Sequence, residues 1–460
     1  MKFSPSTVAL AVALAFSSPL SYSISQSADA QAVREAAPAP TPWVVAATAQ
    51  AEKQTIAFRH HIHQHPELGN QEVKTAAFVA KHLKALGLEV HTGIAGTGVV
   101  AVLKGGLPGP TVGLRADMDA VPGKETAGLA FASQAKGIFQ GKEVDVMHAC
   151  GHDAHTAMLM GAATVMVANK DKIPGNVVFV FQPAEEGPSD IDVFAKEKKS
   201  WGAKRMVEEG IIDRFKIQAM FGVHVMSSAH TGEITYKAGP ALNSADGFRI
   251  QMSGKQTHGS MPWAGTDPIV AAAHTITGMQ TIVSRQANLL QGMGVVSVGS
   301  IHAGNAGNII PGELTMEGTI RSNSPDIRNS MLKELPALVK NTATTHHVHA
   351  EVNIAQMMPV TINNEELTHA MVPALQRASN GKAKELKTGQ SASEDFAYYA
   401  EKVPGLFVFL GATPPGKDLS KVAANHHPAF FVDDATLATG VRSHVEFVLG
   451  YADWTKTKNR

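Results

Sequence analysis

The chain has 460 residues, enough for two or three domains, and 44% of them are hydrophobic, which suffices for a real core. Lysine plus arginine and aspartate plus glutamate balance at 40 each, so composition gives neither the basic excess of a nucleic-acid binder nor an acidic solvating tail. A single cysteine excludes an intramolecular disulfide framework, and 21 histidines raise the weight of metal chemistry.

Lys2 followed by the apolar run Val8–Phe16 predicts a signal peptide over residues 1–30, with Ala28-Asp29-Ala30 as a small-x-small cleavage site. The run is too short to span a bilayer, so the expected location is periplasmic or secreted, without stable membrane insertion; an uncleaved anchor is the alternative. Residues 31–42, rich in Ala and Pro, read as a flexible leader. Trp43–His65 and Thr75–Leu86 have helical periodicity, the second stopped by Gly87. Val99–Leu103 and Thr111–Ala116 read as strands, the latter delivering Asp117 and Asp119, and Gly151 opens a helix to about Ala168. The continuous apolar runs Asn176–Phe181, Ala219–Val225 and Leu406–Leu410 read as buried parallel strands. Polar residues at the ends of such strands, with helices between them, predict an open α/β sheet with a site at the strand C-termini.

From about Gly239 the texture changes. Gly247–Met252, Val295–His302, Glu313–Arg321 and His349–Ala355 alternate as strands, and Asp267–Arg285 and Asp326–Thr342 are helical. This β-α-β-β-α-β order predicts a ferredoxin-like α+β unit over residues 239–357, inserted between catalytic segments 43–238 and 358–460. The hydrophilic stretch Pro188–Lys204, with its KEKK run at Lys196–Lys199, reads as a solvated loop.

Chemistry concentrates in Met147–Met160, MHACGHDAHTAMLM. Cys150 and His152, two apart at a loop-to-helix junction, can aim at one ion; a buried inert cysteine is the bland alternative. Glu185-Glu186 ends an apolar strand. Adjacent side chains there point apart, so one can face a metal and the other a water, though a surface carboxylate pair would look the same. His224 lies in an apolar context that also suits a core histidine, and His426 lies in a loop. Asp117 and Asp119 suit ligands, supporting residues or caps.

The joint pattern resembles peptidase family M20, in its aminoacylase/hippurate-hydrolase-like amidohydrolase subfamily. The resemblance rests on Arg115–Ala120 (RADMDA), His148–Asp153 (HACGHD), Gln182–Glu186 (QPAEE) and Gly222-Val223-His224. It continues through His258–Pro262 (HGSMP), Asp267-Pro268-Ile269, Gly307–Pro311 (GNIIP), Ser393–Phe396 (SEDF) and His426-His427-Pro428, in the family's order. It implies a zinc-peptidase-like mixed-sheet catalytic domain whose inserted domain dimerises. It implies two divalent metal ions per chain: zinc first, with manganese, cobalt or nickel as other candidates. Cys150 would bridge the ions, His152, Glu186, His224 and His426 would complete the shell, Glu185 would be the general base, and Asp119 would orient a ligand. His258 would reach the site of an opposing subunit, Asn308 would be a further donor, and Arg321 would grip a substrate carboxylate.

The reaction so implied is hydrolysis of an N-acyl amino acid or small peptide-like amide. A dipeptidase or carboxypeptidase is the alternative within the family, and an inactive metal- or ligand-binding periplasmic protein is the alternative outside enzymes. The sequence departs from the family pattern in a long Pro188–Trp201 loop and in Gly123-Lys124, which leave substrate preference open. His155 and His427 are given no role.

Overall fold

A computed structural model describes residues 37–195 and 199–458. The expected signal peptide (residues 1–30), the first half of the expected leader (31–36) and residues 196–198 lie outside the described residues. Pro42, assigned above to the leader, instead opens helix α1 (Pro42–Gln64), where its fixed φ suits the first turn.

The chain continues through α2 (Val73–Ala85) into β1 (Glu89–Ile94), β2 (Gly98–Lys104) and β3 (Leu107–Asp117). A small three-stranded sheet follows: β4 (Val121–Pro122), β5 (Lys136–Phe139) and β6 (Lys142–Met147). Next come α3 (His152–Ala168), β7 (Pro174–Gln182), α4 (Gly202–Glu208), α5 (Ile211–Arg214), β8 (Ala219–His230) and β9 (Ile234–Tyr236). After the second lobe the chain returns through α8 (Glu365–Ala378), β18 (Ala383–Glu385), α9 (Ala397–Ala400), β19 (Gly405–Thr413) and α10 (Thr436–Lys458).

The main sheet is eight-stranded and mixed, ordered β1-β2-β7-β3-β8-β19-β9-β18. Its centre, β7-β3-β8-β19, is parallel. Those strands are apolar along nearly their whole length because helices cover both faces: β7 is buried from Val177 to Gln182 and β19 throughout. One face packs on α1, α3 and α10 through Phe179, Phe221, Leu159 and Phe447, the other on α4, α5 and α9 through Phe407, Met206 and Tyr399. The register Asp117↔Gln182 brings the C-terminal ends of β3 and β7 level. Since Arg115 pairs with Gly222, His224 on β8 falls beside Asp117. The sheet thereby gathers polar side chains at one edge.

The second lobe begins after β10 (Gly239–Leu242), which pairs with β17 (Thr361–Asn363) at its far end. It contains β11 (Ala245–Ser253), the short β12 (Thr257–His258), α6 (Pro268–Thr281), β13 (Gly294–Ala303), the short β14 (Ile309–Ile310), β15 (Glu313–Ser322), α7 (Pro325–Thr345) and β16 (His349–Met358). The four long strands form an antiparallel sheet ordered β13-β15-β11-β16, the ferredoxin-like arrangement, with α6 and α7 packed on it through Phe248, Met316, Met279 and Leu335. Asp267 and Ser324 cap α6 and α7 by accepting backbone N–H bonds. Among the described residues, no helix is long and apolar enough to cross a membrane.

Candidate metal centre

Gly151 makes the junction between β6 and α3. Its φ of +104° is left-handed, and a Cβ there would overlap the Val225 side chain, so only glycine allows the Cys150 turn to press against β8. α3 starts directly after it and points His152 and His155 at the ends of β3 and β8.

His152 is fully buried. Its Nδ1 donates to the Asp119 backbone oxygen at 2.8 Å and lies 3.2 Å from Asp119 Oδ1. A carbonyl only accepts, so Nδ1 carries a hydrogen, which leaves Nε2 as the nitrogen that a metal could take in place of a proton. His224 is held the same way, its Nδ1 donating to Val225 O at 2.8 Å while Nε2 lies 3.3 Å from Cys150 Sγ. Both rings thus have the second nitrogen fixed as metal-binding histidines do. His426, in the left-handed region at φ +70°, places Nε2 2.8 Å from Glu186 Oε1.

These atoms form two triads that share one sulfur. Cys150, His152 and His224 have ligand atoms within 4.8 Å of one another, as do Cys150, Glu186 and His426. His152 Nε2 and Glu186 Oε1 are buried without a hydrogen-bond partner among the described residues. Glu186 Oε1 meets His426 Nε2 at 2.8 Å as an ion-pair contact. Orphaned lone pairs facing a shared thiol are what a cation would satisfy.

Charge gives the same answer. Burial pushes the Cys150 thiol well above its ordinary pKa, and the Glu186 and Glu185 carboxylates push it further. Burial also raises Glu185, reinforced by Glu394, Glu186 and Asp395. For His152, burial would lower the pKa, but Asp117 and Asp119 outweigh it and raise it to about 10. The pocket holds more acids than cations, and positive charge must enter before the thiol ionises.

Two nearby groupings are already engaged. Asp117 accepts from Arg115 Nη1 at 2.6 Å and from His155 Nδ1 at 2.7 Å, while His155 Nε2 accepts the Val225 N–H at 2.8 Å. Both nitrogens of His155 are thus engaged, and both Asp117 oxygens already accept a hydrogen bond, with Oδ2 also 3.7 Å from His152 Nε2. The two residues tie α3, β3 and β8 together beside the triads. Asp119 has the same kind of role: its Oδ2 accepts the Glu186 N–H at 2.9 Å while it also holds His152.

Beneath Glu185 lies a fully buried guanidinium. Arg115 Nη2 reaches Glu394 at 2.7 Å and Asp395 at 2.9 Å, and Nε reaches Gln182 Oε1 at 2.9 Å. On the open side, Cys150, Glu185, Glu186, His224 and His426 line a cavity of about 370 Å³, with His152 behind them. Trp201, Met226, Leu242, Met357, Met358 and Phe409 supply an apolar wall. Arg321 lines the same cavity, bonded to Ser393 Oγ at 2.8 Å and Thr319 Oγ1 at 2.9 Å, and no described residue forms a salt bridge with it.

His258 and Asn308 lie elsewhere. They sit at the two-stranded β12–β14 ladder, where Gly259 N–H donates to Asn308 O at 2.7 Å, and His258 is exposed with Nδ1 bonded to Ser260. Neither lines the cavity of its own chain. His427 is exposed and accepts the Ala429 N–H. The apolar wall and the buried Arg115 cluster escaped sequence reasoning. His155 carried a usable signal, the i, i+3 spacing that puts it on the His152 side of α3.

A shared thiol between two sets of ligands, with a paired glutamate alongside, finds its counterpart in known proteins. The profile of Peptidase family M20/M25/M40 matches residues 113–450. The chain belongs to this family. It is 37% identical over 387 residues to N-acetyl-L-cysteine deacetylase of Bacillus subtilis (strain 168), covering 84% of this chain and 85% of that one. It is 35% identical over 406 residues to thermostable carboxypeptidase 2 of Saccharolobus solfataricus, covering 88% and 97%. Among solved structures, the Bacillus subtilis YXEP protein, described as a dinuclear metal binding peptidase from the M20 family, superposes with a TM-score of 0.70 at 30% identity, covering 87% of this chain and 98% of that one. This M20 chain is accordingly a metal-dependent hydrolase of linear amide C–N bonds, with a donor set that fits two divalent ions.

Proposed function

We propose that this protein is an exported N-acyl-amino-acid amidohydrolase using two zinc ions. The observation that carries the reading is the double triad on Cys150, with Glu185 and the unpaired Arg321 opening onto the same cavity. Cys150, His152 and His224 hold one ion, and Cys150, Glu186 and His426 hold the other. A thiolate with imidazoles and carboxylate favours zinc among the divalent candidates manganese, cobalt and nickel. Bound ions supply Lewis acidity at the amide carbonyl and lower the pKa of a water.

Glu185 accepts the proton of the attacking water as the C–O bond forms and the carbonyl π bond opens onto oxygen, then delivers it to the nitrogen, so the C–N bond breaks as the carboxyl group re-forms and the amine leaves. Asp119 keeps His152 and Glu186 aimed. Arg321 receives the carboxylate of the amino-acid portion, and the wall of Trp201, Met226, Met357, Met358 and Phe409 accepts an apolar acyl group. Methionines suit acyl groups of varied shape.

The carboxypeptidase-like relative keeps a peptidase reading in view. A dipeptidase would need a free carboxylate to grip an α-ammonium group. The carboxylates lining this cavity are Glu185 and Glu186, both assigned other work.

The second lobe supports a homodimer. β13 is an edge strand with Val295 and Ile301 exposed, and Ile269, Val270 and Leu290 expose apolar surface in the same lobe. In this reading His258 and Asn308 serve the cavity of a second copy, where they stabilise the developing oxyanion.

The test is hydrolysis of N-acetyl, N-benzoyl and N-indoleacyl amino acids beside unblocked dipeptides, each with added divalent metal. Cleavage of the blocked substrates is expected, and cleavage of the dipeptides alone would overturn the substrate class. Glu185→Gln should keep its metal and lose most turnover; Cys150→Ser should lose metal.

A further inference from the structure

Asn425 directly precedes His426 and lines the same cavity, yet its carboxamide is committed to backbone. Nδ2 donates to the Cys150 carbonyl and to the Val225 carbonyl, each at 3.0 Å, and Oδ1 accepts the Ser227 N–H at 3.2 Å. The acceptors belong to the two segments that carry Cys150 and His224. Asn425 itself begins the segment that carries His426.

The Val225 peptide is the hub of this arrangement. Its carbonyl receives both Asn425 Nδ2 and the His224 Nδ1–H, and its N–H is held by His155. The His224 Nδ1–H bond and the β8 ladder stay in place without the carboxamide, whereas the His426 segment loses its link to both Cys150 and β8.

The His426 side needs such support more. Residues 414–435 contain no helix or strand, so no ladder of backbone bonds fixes them. The His426 N–H donates to Ala149 O at 2.7 Å, and its left-handed backbone is one that L-residues adopt only when neighbours impose it. His224 sits on a central strand and Cys150 at a helix start, each held by regular structure.

We propose that Asn425 is a positioning residue that clamps His426 against the Cys150 turn and β8, so that the Cys150–Glu186–His426 position holds its ion only while the carboxamide donates both bonds. The proposal rests on the dinuclear reading above. An aspartate in its place has the same shape but no N–H, and its oxygens would face two carbonyl oxygens. A mere loop tether would change stability and leave the ion affinities as they are.

Cobalt(II) titration of the full chain separates these cases, with bound equivalents counted by equilibrium dialysis and the thiolate-to-cobalt charge-transfer band followed in parallel. The native chain should take up two equivalents. Asn425→Asp and Asn425→Ala should bind the first with the thiolate band retained and the second at least tenfold more weakly. Two equivalents at native affinities in Asn425→Asp would overturn the clamp, as would equal weakening of both. Should the aspartate variant not fold, Asn425→Ser is read the same way: selective weakening of the second equivalent supports the clamp, and native affinity removes it. If the native chain itself binds fewer than two cobalt ions, the dinuclear reading falls and takes the clamp with it; two in the native chain and two at native affinities in the variant removes the clamp alone.

Discussion

His155 Nε2 accepts the Val225 N–H at 2.8 Å, and that bond takes the ring out of the ligand set while tying α3 to β8. Its other nitrogen holds Asp117. Replacing His155 with alanine should loosen the His224 strand without removing a ligand. We expect metal affinity to fall about 10- to 100-fold, the range for residues that orient ligands, with full stoichiometry restored by excess metal. Chelator competition measures this, and an unchanged affinity would show that Val225 is held without it.

Arg115→Met leaves Asp117, Glu394 and Asp395 buried with their shared cation gone. Breaking a buried ion cluster from one side costs about 3–5 kcal/mol, so the variant should unfold at much lower denaturant. Glu394→Gln, which removes one charge from a cluster with excess acids, should cost less. The order of the two midpoints is the check, and Glu394→Gln as the weaker protein would contradict it.

Arg321→Met should raise KM about ten- to hundred-fold for substrates with a free carboxylate, the worth of a charge-assisted hydrogen bond. The C-terminally amidated analogue should be almost unaffected. Equal losses on both substrates would place Arg321 in the lobe's structure rather than on the substrate.

His63 gives a pH dependence. Burial alone would lower its pKa, but Asp153 at 2.9 Å and Glu125 at 3.2 Å outweigh that and raise it to about 9. A histidine raised on folding contributes stability that is fully present below its unfolded value of about 6.5 and is lost as pH rises through about 9. Denaturant midpoints should therefore fall between pH 6.5 and 9 in the native chain and slope less in His63→Gln. Parallel pH profiles for the two proteins would contradict the assignment.

What could be read from the sequence follows from how local each signal is. Asn176–Phe181 and Leu406–Leu410 announce buried strands because helices cover both faces, leaving no polar side to interrupt the run. The second lobe shows its order because its strands alternate. α10 leaves no such mark: it buries Ser443, His444 and Glu446 among Val441, Phe447 and Val448, so its polar pattern does not trace a solvent face. Glu446 is satisfied at a distance by Arg377 at 2.6 Å, which no local rule anticipates. At the site, Cys150, Glu185 and His224 stand out by residue type. That Asp117 is engaged on both oxygens and Asp119 is turned toward His152 depends on hydrogen bonds between remote segments.

The ligands also straddle the second lobe. Asn425 meets Cys150 across 275 residues of sequence, and His426 shares Glu186 and Cys150 from the far side of that excursion. In the proposed dinuclear centre a bound ion would therefore work as a removable cross-link between the two ends of a long loop, stabilising the folded chain because the unfolded one offers no assembled site. During synthesis, the Cys150–His152–His224 set is complete more than 200 residues before His426 emerges, since Asn425 lies 200 residues beyond Val225. The first proposed ligand set is thus complete in sequence well before the second, which needs the chain to return. In the proposed dinuclear centre, metal supplied during folding would then help decide how much of the chain reaches its active form.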